Sequence, residues 1–217
     1  LALITEATLR LTPIPETQRT LRGLYMDIHG AASAVAAIMA QPVIPCALEF
    51  MDSAALRLAR EHAELDIDAR AGALLMIEVD GAAGCINQNV AALMQAATNP
   101  KLLALDVATD TDEIASLWLA RKALSPTLRK IAPKKINEDV VVPVSRIPEF
   151  MERLQDLSQK YNITIVNFGH AGNGNIHVNI LVNPEQPGEL ARAEQCLAAM
   201  FTLVLELGGT LSGEHGV

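Results

Sequence analysis

The stretch Ile163-Thr-Ile-Val-Asn-Phe168-Gly-His-Ala-Gly-Asn-Gly-Asn175-Ile-His-Val-Asn-Ile-Leu-Val182 decides the architecture. Its flanks, Ile163 to Phe168 and Asn175 to Val182, carry the β-branched, alternating pattern of strands, and a Gly-Asn turn separates them. Gly169, Gly172 and Gly174 have the GxxGxG spacing of a phosphate-binding loop. Such a loop needs a helix directly after it, and Ile176 to Val182 alternates as a strand, so a dinucleotide-binding crossover is excluded. What remains is a hairpin. It predicts antiparallel pairing and brings His170 and His177 towards each other across the turn.

Downstream, Gly188 to Leu207 reads as a long helix with apolar residues at Leu197, Met200, Phe201, Val204 and Leu205. Upstream lie a helix over Pro148 to Lys160, with Pro near its start, and a β-branched strand over Asp139 to Val144. A basic, Pro-interrupted loop, Arg129 to Asn137, separates these from an earlier series. In that series strands are expected over Leu3 to Leu11, Arg19 to Met26, Pro45 to Phe50, Ala73 to Val79 and Leu102 to Ala108. Helices are expected over His29 to Met39, from the Asp52-Ser53 cap to about His62, and over Ile86 to Ala97. A further helix, capped by Thr111 or Asp112, runs to about Leu124 and stops at Ser125-Pro126. The two series, roughly 18–109 and 136–207, predict an α+β fold: two ferredoxin-like βαβ-type halves around a mainly antiparallel sheet.

The 217 residues are 50% hydrophobic and carry a net charge of −8, enough for a sizeable core and unsuited to nucleic acid or an anionic membrane surface. The longest mostly apolar run, Ala31 to Ala40, is half the length of a membrane span, so no transmembrane segment is expected. Cys46, Cys85 and Cys196 lack a CxxC pair and read as buried, reduced thiols of a cytoplasmic environment. The chain starts at Leu1 without a signal-peptide pattern and stops inside a polar, Gly-framed turn, as expected of a piece of a longer protein. Met39, Met51, Met76, Met94, Met151 and Met200 read as core packing, Trp118 as a buried anchor, and His29 and His62 as surface or capping residues.

Chemistry concentrates at the C-terminal end. His170, His177 and the Ser212-Gly-Glu-His-Gly216 turn offer two imidazoles and the Glu214 carboxylate, a donor set for a divalent Lewis-acid cation with open positions. Histidines in turns that bond only to backbone are an equally good reading of these residues by themselves.

The string Gly169-His-Ala-Gly-Asn-Gly-Asn-Ile-His-Val-Asn179 resembles the GHxGDGNxHxN motif of the FAD-linked oxidase C-terminal domain, with Asn173 where that family usually has Asp. Ser212 to Val217 is similar to the family's second signature. Ile4-Thr-Glu-Ala-Thr-Leu-Arg-Leu11, Ala47-Leu-Glu-Phe-Met-Asp52 and Asn137-Glu-Asp-Val-Val-Val-Pro143 also resemble it. The family includes glycolate oxidase subunits, D-lactate dehydrogenases and D-2-hydroxyglutarate dehydrogenases. The resemblance implies that residues 1–15 are the tail end of a flavin-binding domain and 16–217 the substrate-side cap domain, cut before the family's last segments. It implies FAD, bound mostly by the flavin domain of the same parent chain, and a divalent Zn, Mn or Fe ion. It assigns His170, His177 and Glu214 to the metal, His215 to proton abstraction, Arg121 and Asn179 to substrate binding, and Asn175 to the cofactor side. Lys134 or Lys135 matches a family lysine.

The implied activity is oxidation of a small D-2-hydroxy acid to the 2-oxo acid, in the cytoplasm or at the periphery of the inner membrane, with a homo-oligomer an open option. Two other functions remain at this point: a non-catalytic α+β binding or dimerisation module, and a metal-dependent hydrolase on the same His–His–Glu set.

Overall fold

The computed structural model describes residues 3–63, 67–108 and 110–214. In the first half, β1 (Thr17–Tyr25), α1 (Ile28–Ala40), β2 (Ala47–Asp52), α2 (Ser53–Ala63), β3 (Ala73–Gly81), α3 (Ile86–Ala97) and β4 (Leu102–Ala108) follow in order. Helix α4 (Thr111–Ile131) leads to β5 (Lys134–Val141), α5 (Ile147–Tyr161), β6 (Ile165–His170), β7 (Asn175–Val182) and α6 (Glu189–Glu206). The strands form one seven-stranded sheet in the order β4-β1-β3-β2-β6-β7-β5. Every pairing is antiparallel. Spatial order β1-β3-β2 in the first half is matched by β5-β7-β6 in the second, so the two halves are ferredoxin-like and join edge to edge through β2 and β6.

Alternation along the strands sends residues to two different cores. Leu48, Phe50, Leu75, Ile77, Ile176, Val178 and Ile180 face one side, beneath α1, α3, α5 and α6. Met51, Leu74, Met76, Val166, Phe168 and Leu181 face the other, where α2 and α4 pack among the described helices. Two helices cannot roof a seven-stranded sheet. The second face therefore keeps polar residues at the β2–β6–β7–β5 end, in phase with its apolar ones.

Several expectations are corrected. Leu3 to Leu11 forms no strand; Leu3, Ile4, Leu9 and Leu11 are exposed, because a strand needs a neighbour and none of the described strands borders this segment. Helix α4 does not stop at Ser125-Pro126 but continues to Ile131, starting from an Asp110 cap whose side chain accepts from Asp112 N. Pro126 removes one helical N–H, yet Leu117, Leu124 and Leu128 bury on one stripe, and that packing outweighs the missing bond. The basic loop is consequently shorter, and β5 starts at Lys134 rather than Asp139. Cys46 and Cys85 are exposed and only Cys196 is buried. Trp118 is half-buried, its Nε1 donating to Glu78 Oε1 at 2.7 Å.

Two fixed points set the strand ends. Gly174 closes the β6–β7 turn at φ 76°, and a Cβ there would meet Val142 O at 2.0 Å. Asp52 ends β2 and caps α2: Oδ1 accepts from Ala55 N at 2.8 Å, and Oδ2 from Asn167 N at 2.7 Å and Asn167 Nδ2 at 2.9 Å. Burial pushes the Asp52 carboxyl up to about 6, against the pull of these N–H groups.

Gly174→Ala is expected to destabilise the chain by about 2–4 kcal/mol in denaturant melts, since both the backbone conformation and the Val142 carbonyl oppose it. For Asp52, the folded state takes up a proton at higher pH than the unfolded chain does. Stability therefore rises as pH falls through about 6 to about 4 and is lost again on the way up. Melts of the wild type against Asp52→Asn should show a relative gain for the wild type of roughly 2–3 kcal/mol over that window. A stability difference independent of pH would contradict this.

Candidate active site

The polar end of the second face is built by register. Glu49 on β2 lies opposite His170 on β6. His177 on β7 lies opposite Phe168 on β6 and Asp139 on β5. Residues opposite one another in antiparallel strands project to the same side, so the pairs Glu49–His170 and His177–Asp139 occupy two neighbouring rows of one sheet face, with the imidazoles diagonal across β6 and β7. The two imidazoles meet edge to face, ring centres 5.2 Å apart, and Phe168 lies 5.6 Å from His177.

Each imidazole is held from behind by a carboxylate. His170 Nδ1 bonds Glu49 Oε1, and His177 Nδ1 bonds Asp139 Oδ1. A carboxylate oxygen accepts, so both Nδ1 atoms carry the proton and both Nε2 lone pairs are free to face a common point. Glu214 approaches that point, its Oε1 3.4 Å from His170 Nε2. One ligand atom from each of His170, His177 and Glu214 falls within 4.8 Å of the other two. Two imidazole nitrogens and one carboxylate oxygen would hold the ion from these three residues. Carboxylates behind metal-binding imidazoles are the usual support of such sites. Three acidic side chains, Glu49, Asp139 and Glu214, surround the pair of histidines. The donor chemistry fits a divalent cation.

Glu214 is positioned by the segment after α6. Thr210 forms a bridge to Val141, and Gly213 N donates to Asp139 O at 2.7 Å. A Cβ on Gly213 would lie 2.8 Å from Val141 Cγ2 and 2.9 Å from Asn175 Oδ1, so a side chain here would displace Val141 and the Asn175 amide that holds Glu214. Asn175 Nδ2 donates to Glu214 Oε1 at 2.9 Å. The structure thus places Asn175 beneath Glu214.

Helix α4 brings the cationic side of the site. Arg121 is only 9% exposed, not part of a solvated face. Its Nε donates to Glu49 Oε2 at 2.9 Å and its guanidinium lies 4.7 Å from the centre of the Phe168 ring. Burial lowers its pKa from the ordinary arginine value, while Glu49 and then Glu214 raise it. Ser125 is one turn further along α4, on the Arg121 side. This stacking exists because the helix runs on through Pro126. Ser125 Oγ accepts from Lys135 Nζ at 3.0 Å, and Lys135 also reaches Asn179 Oδ1 at 3.2 Å and Asn137 Oδ1 at 3.4 Å. Of the two lysines, then, Lys135 faces the site, while Lys134 is exposed. Asn179 is 0% exposed, and its Nδ2 donates to Val166 O at 3.1 Å and His177 O at 3.3 Å. His215 lies outside the described residues.

The structure therefore brings His170, His177, Glu214, Arg121, Asn175, Asn179 and Lys135 together. It adds Glu49, Asp139 and Ser125, which sequence reasoning did not single out. The available signal was an acid inside or opening an apolar strand segment, Glu49 within Ala47 to Asp52 and Asp139 at the start of Asp139 to Val144.

Residues 14–217 match the family described as FAD linked oxidases, C-terminal domain. The chain is 36% identical over 217 residues to glycolate oxidase subunit GlcD of Bacillus subtilis, covering 100% of this chain and 46% of that protein. GlcD of Escherichia coli strain K12 is 35% identical over 224 residues, with 100% and 44% covered. D-lactate dehydrogenase of Archaeoglobus fulgidus is 31% identical over 225 residues, with 100% and 47% covered. The chain spans about half the length of these curated relatives. Among solved structures, 4-ethylphenol oxidase from Gulosibacter chungangensis superposes with a TM-score of 0.66 at 12% identity, over 94% of this chain and 46% of that one. The p-cresol methylhydroxylase structure gives 0.65 at 13%, over 92% and 45%. These two likenesses show the fold alone. No described helix is long and apolar enough to cross a membrane. By sequence along nearly its whole length, this chain belongs to the family of FAD-linked oxidase C-terminal domains, together with glycolate oxidase and D-lactate dehydrogenase chains.

Proposed function

We propose that this chain is the substrate-side cap domain of an FAD-dependent dehydrogenase that oxidises a small D-2-hydroxy acid to the 2-oxo acid. Residues 16–217 form the cap, and residues 1–15 are the tail of the flavin-binding domain of the same parent. The observation that carries this reading is the pairing, on one sheet face, of a His–His–Glu donor set with the buried Arg121. A 2-hydroxy acid has two neighbouring groups to be recognised, a hydroxyl and a carboxylate, and the site offers a feature for each.

His170, His177 and Glu214 hold a divalent cation of the Zn, Mn or Fe type, with Glu49 and Asp139 fixing the two imidazoles. When bound, that cation acts as a Lewis acid that lowers the pKa of the substrate hydroxyl. A bound FAD would supply the hydride-accepting chemistry, which is the cofactor's own. Arg121 gives Nε to Glu49, which leaves its two terminal nitrogens for the substrate carboxylate. Lys135 supplies a second positive charge, steadied by Ser125 and Asn179. Asn179 serves the substrate-binding side, where its Oδ1 accepts from Lys135 Nζ at 3.2 Å. His215, beside Glu214 in sequence, accepts the hydroxyl proton. Asn175 keeps Glu214 in place on the side that faces the cofactor.

The test uses the full-length parent, its absorption spectrum recorded before and after addition of glycolate, D-lactate and D-2-hydroxyglutarate. A flavin bleached by one of these acids is expected, with bleaching suppressed by chelator or by His215→Ala. Arg121→Lys should raise KM by at least about tenfold, because the ammonium cannot reproduce the paired contact. A flavin indifferent to all three acids would contradict the reading and favour a binding or assembly role.

A further inference from the structure

Glu49 is 4% exposed and sits in the middle of the site, not at its rim. One of its oxygens accepts from His170 Nδ1 and the other from Arg121 Nε at 2.9 Å. The two donors approach from different elements, β6 and α4, and the strand register that places Glu49 opposite His170 leaves its second oxygen facing the helix. Asp139 gives His177 the same support from β5.

We infer that Glu49 is a positioning residue that couples the metal half of the site to its carboxylate-binding half. This inference rests on the function proposed above. One side chain sets two things at once. It holds the proton of His170 on Nδ1, so that the Nε2 lone pair is left for the cation, and it engages Arg121 Nε with the guanidinium over Phe168, which leaves the terminal nitrogens for a carboxylate.

The chemistry explains why a carboxylate is required. Two donors converge on one side chain, and only a carboxylate offers an acceptor to each. Glutamine has nearly the same shape but only one acceptor. With its oxygen turned to Arg121, its NH2 faces His170 Nδ1 and draws the lone pair there, which moves the ring proton to Nε2 and blocks ligation. With its oxygen turned to His170, its NH2 opposes the Arg121 N–H and the guanidinium is released. Either way one half of the site fails, and exchange between the two arrangements weakens both.

The experiment compares Glu49→Gln with Asp139→Asn in the full-length parent. Asp139→Asn removes one histidine's support but leaves the Glu49–Arg121 pair in place. Zinc affinity is measured by competition with a chelator. The tautomer of His170 is read from imidazole nitrogen shifts in histidine-labelled protein, and KM for the accepted 2-hydroxy acid is taken at saturating zinc. Glu49→Gln should weaken zinc by about 10–100-fold and raise KM about tenfold, whereas Asp139→Asn should weaken zinc similarly with a KM change under about threefold. The His170 shifts should report protonated Nδ1 in the wild type and a loss of that form in Glu49→Gln. Equal KM effects in the two variants, or unchanged zinc affinity in Glu49→Gln, would overturn the coupling. A wild-type His170 protonated on Nε2 would overturn it as well, whatever the substrate. A wild-type parent that binds no zinc would instead sink the metal reading, and the coupling with it. Melting temperature and flavin content report folding. If Glu49→Gln does not fold, Glu49→Asp, which keeps the charge but draws back one methylene from both donors, carries the same comparison.

Discussion

Two buried carboxylates, Glu49 and Asp139, are placed against the inner nitrogens of two imidazoles, and the organisation of the second sheet face follows from accommodating them. Both are 4% exposed. Burying a carboxylate is costly unless it is hydrogen-bonded and its charge is opposed. Each finds a histidine N–H across a strand pair, and Glu49 finds Arg121 as well. The sheet sets the two histidine partners, because antiparallel register fixes which residues stand opposite each other, and α4 sets Arg121. Neither acid adds apolar contact to the core. Their placement matches the carboxylate support that imidazole ligands of a metal usually have.

The same constraint accounts for the division of the fold. One sheet face is fully covered by α1, α3, α5 and α6 and carries most of the apolar core. The other is covered, among the described helices, by α2 and α4, and the site occupies its less covered end. Helix α4 matters twice. Its apolar stripe closes the second core, and Arg121 and Ser125, one turn apart, bring the cationic side of the site to the histidines. The junction between the two ferredoxin-like halves, β2 against β6, is also where Glu49 meets His170, so the site depends on both halves being correctly joined.

Much of this was legible in the amino-acid order. Helix α3 and strands β4 and β7 begin and end where periodicity and turn residues place them, because their signals are local. The hairpin carrying His170 and His177 was equally readable, since a Gly-rich turn between two alternating runs admits little else. What was not readable depends on long-range pairing. Nothing near Glu49 says that it will lie opposite a residue 121 positions later, or that Asp139 rather than Glu138 will face the histidine. Pro126 misled for a related reason: its local preference is to end a helix, and the packing of Leu124 and Leu128 against the sheet overrides it. The alternating Leu3 to Leu11 segment misled in the opposite direction, since its pattern is that of a strand whose neighbour is not among the described strands. Cys46 and Cys85 were expected inside on residue type alone, and both lie on the surface.

The claim on which the account turns is that the His170–His177–Glu214 set holds a cation. Elemental analysis of the purified full-length parent, alongside His177→Ala purified in parallel, addresses it directly. One divalent ion per chain in the wild type, absent from a variant that keeps its flavin and its melting temperature, is the predicted result. A wild type that oxidises a 2-hydroxy acid at full rate with no ion bound would contradict it.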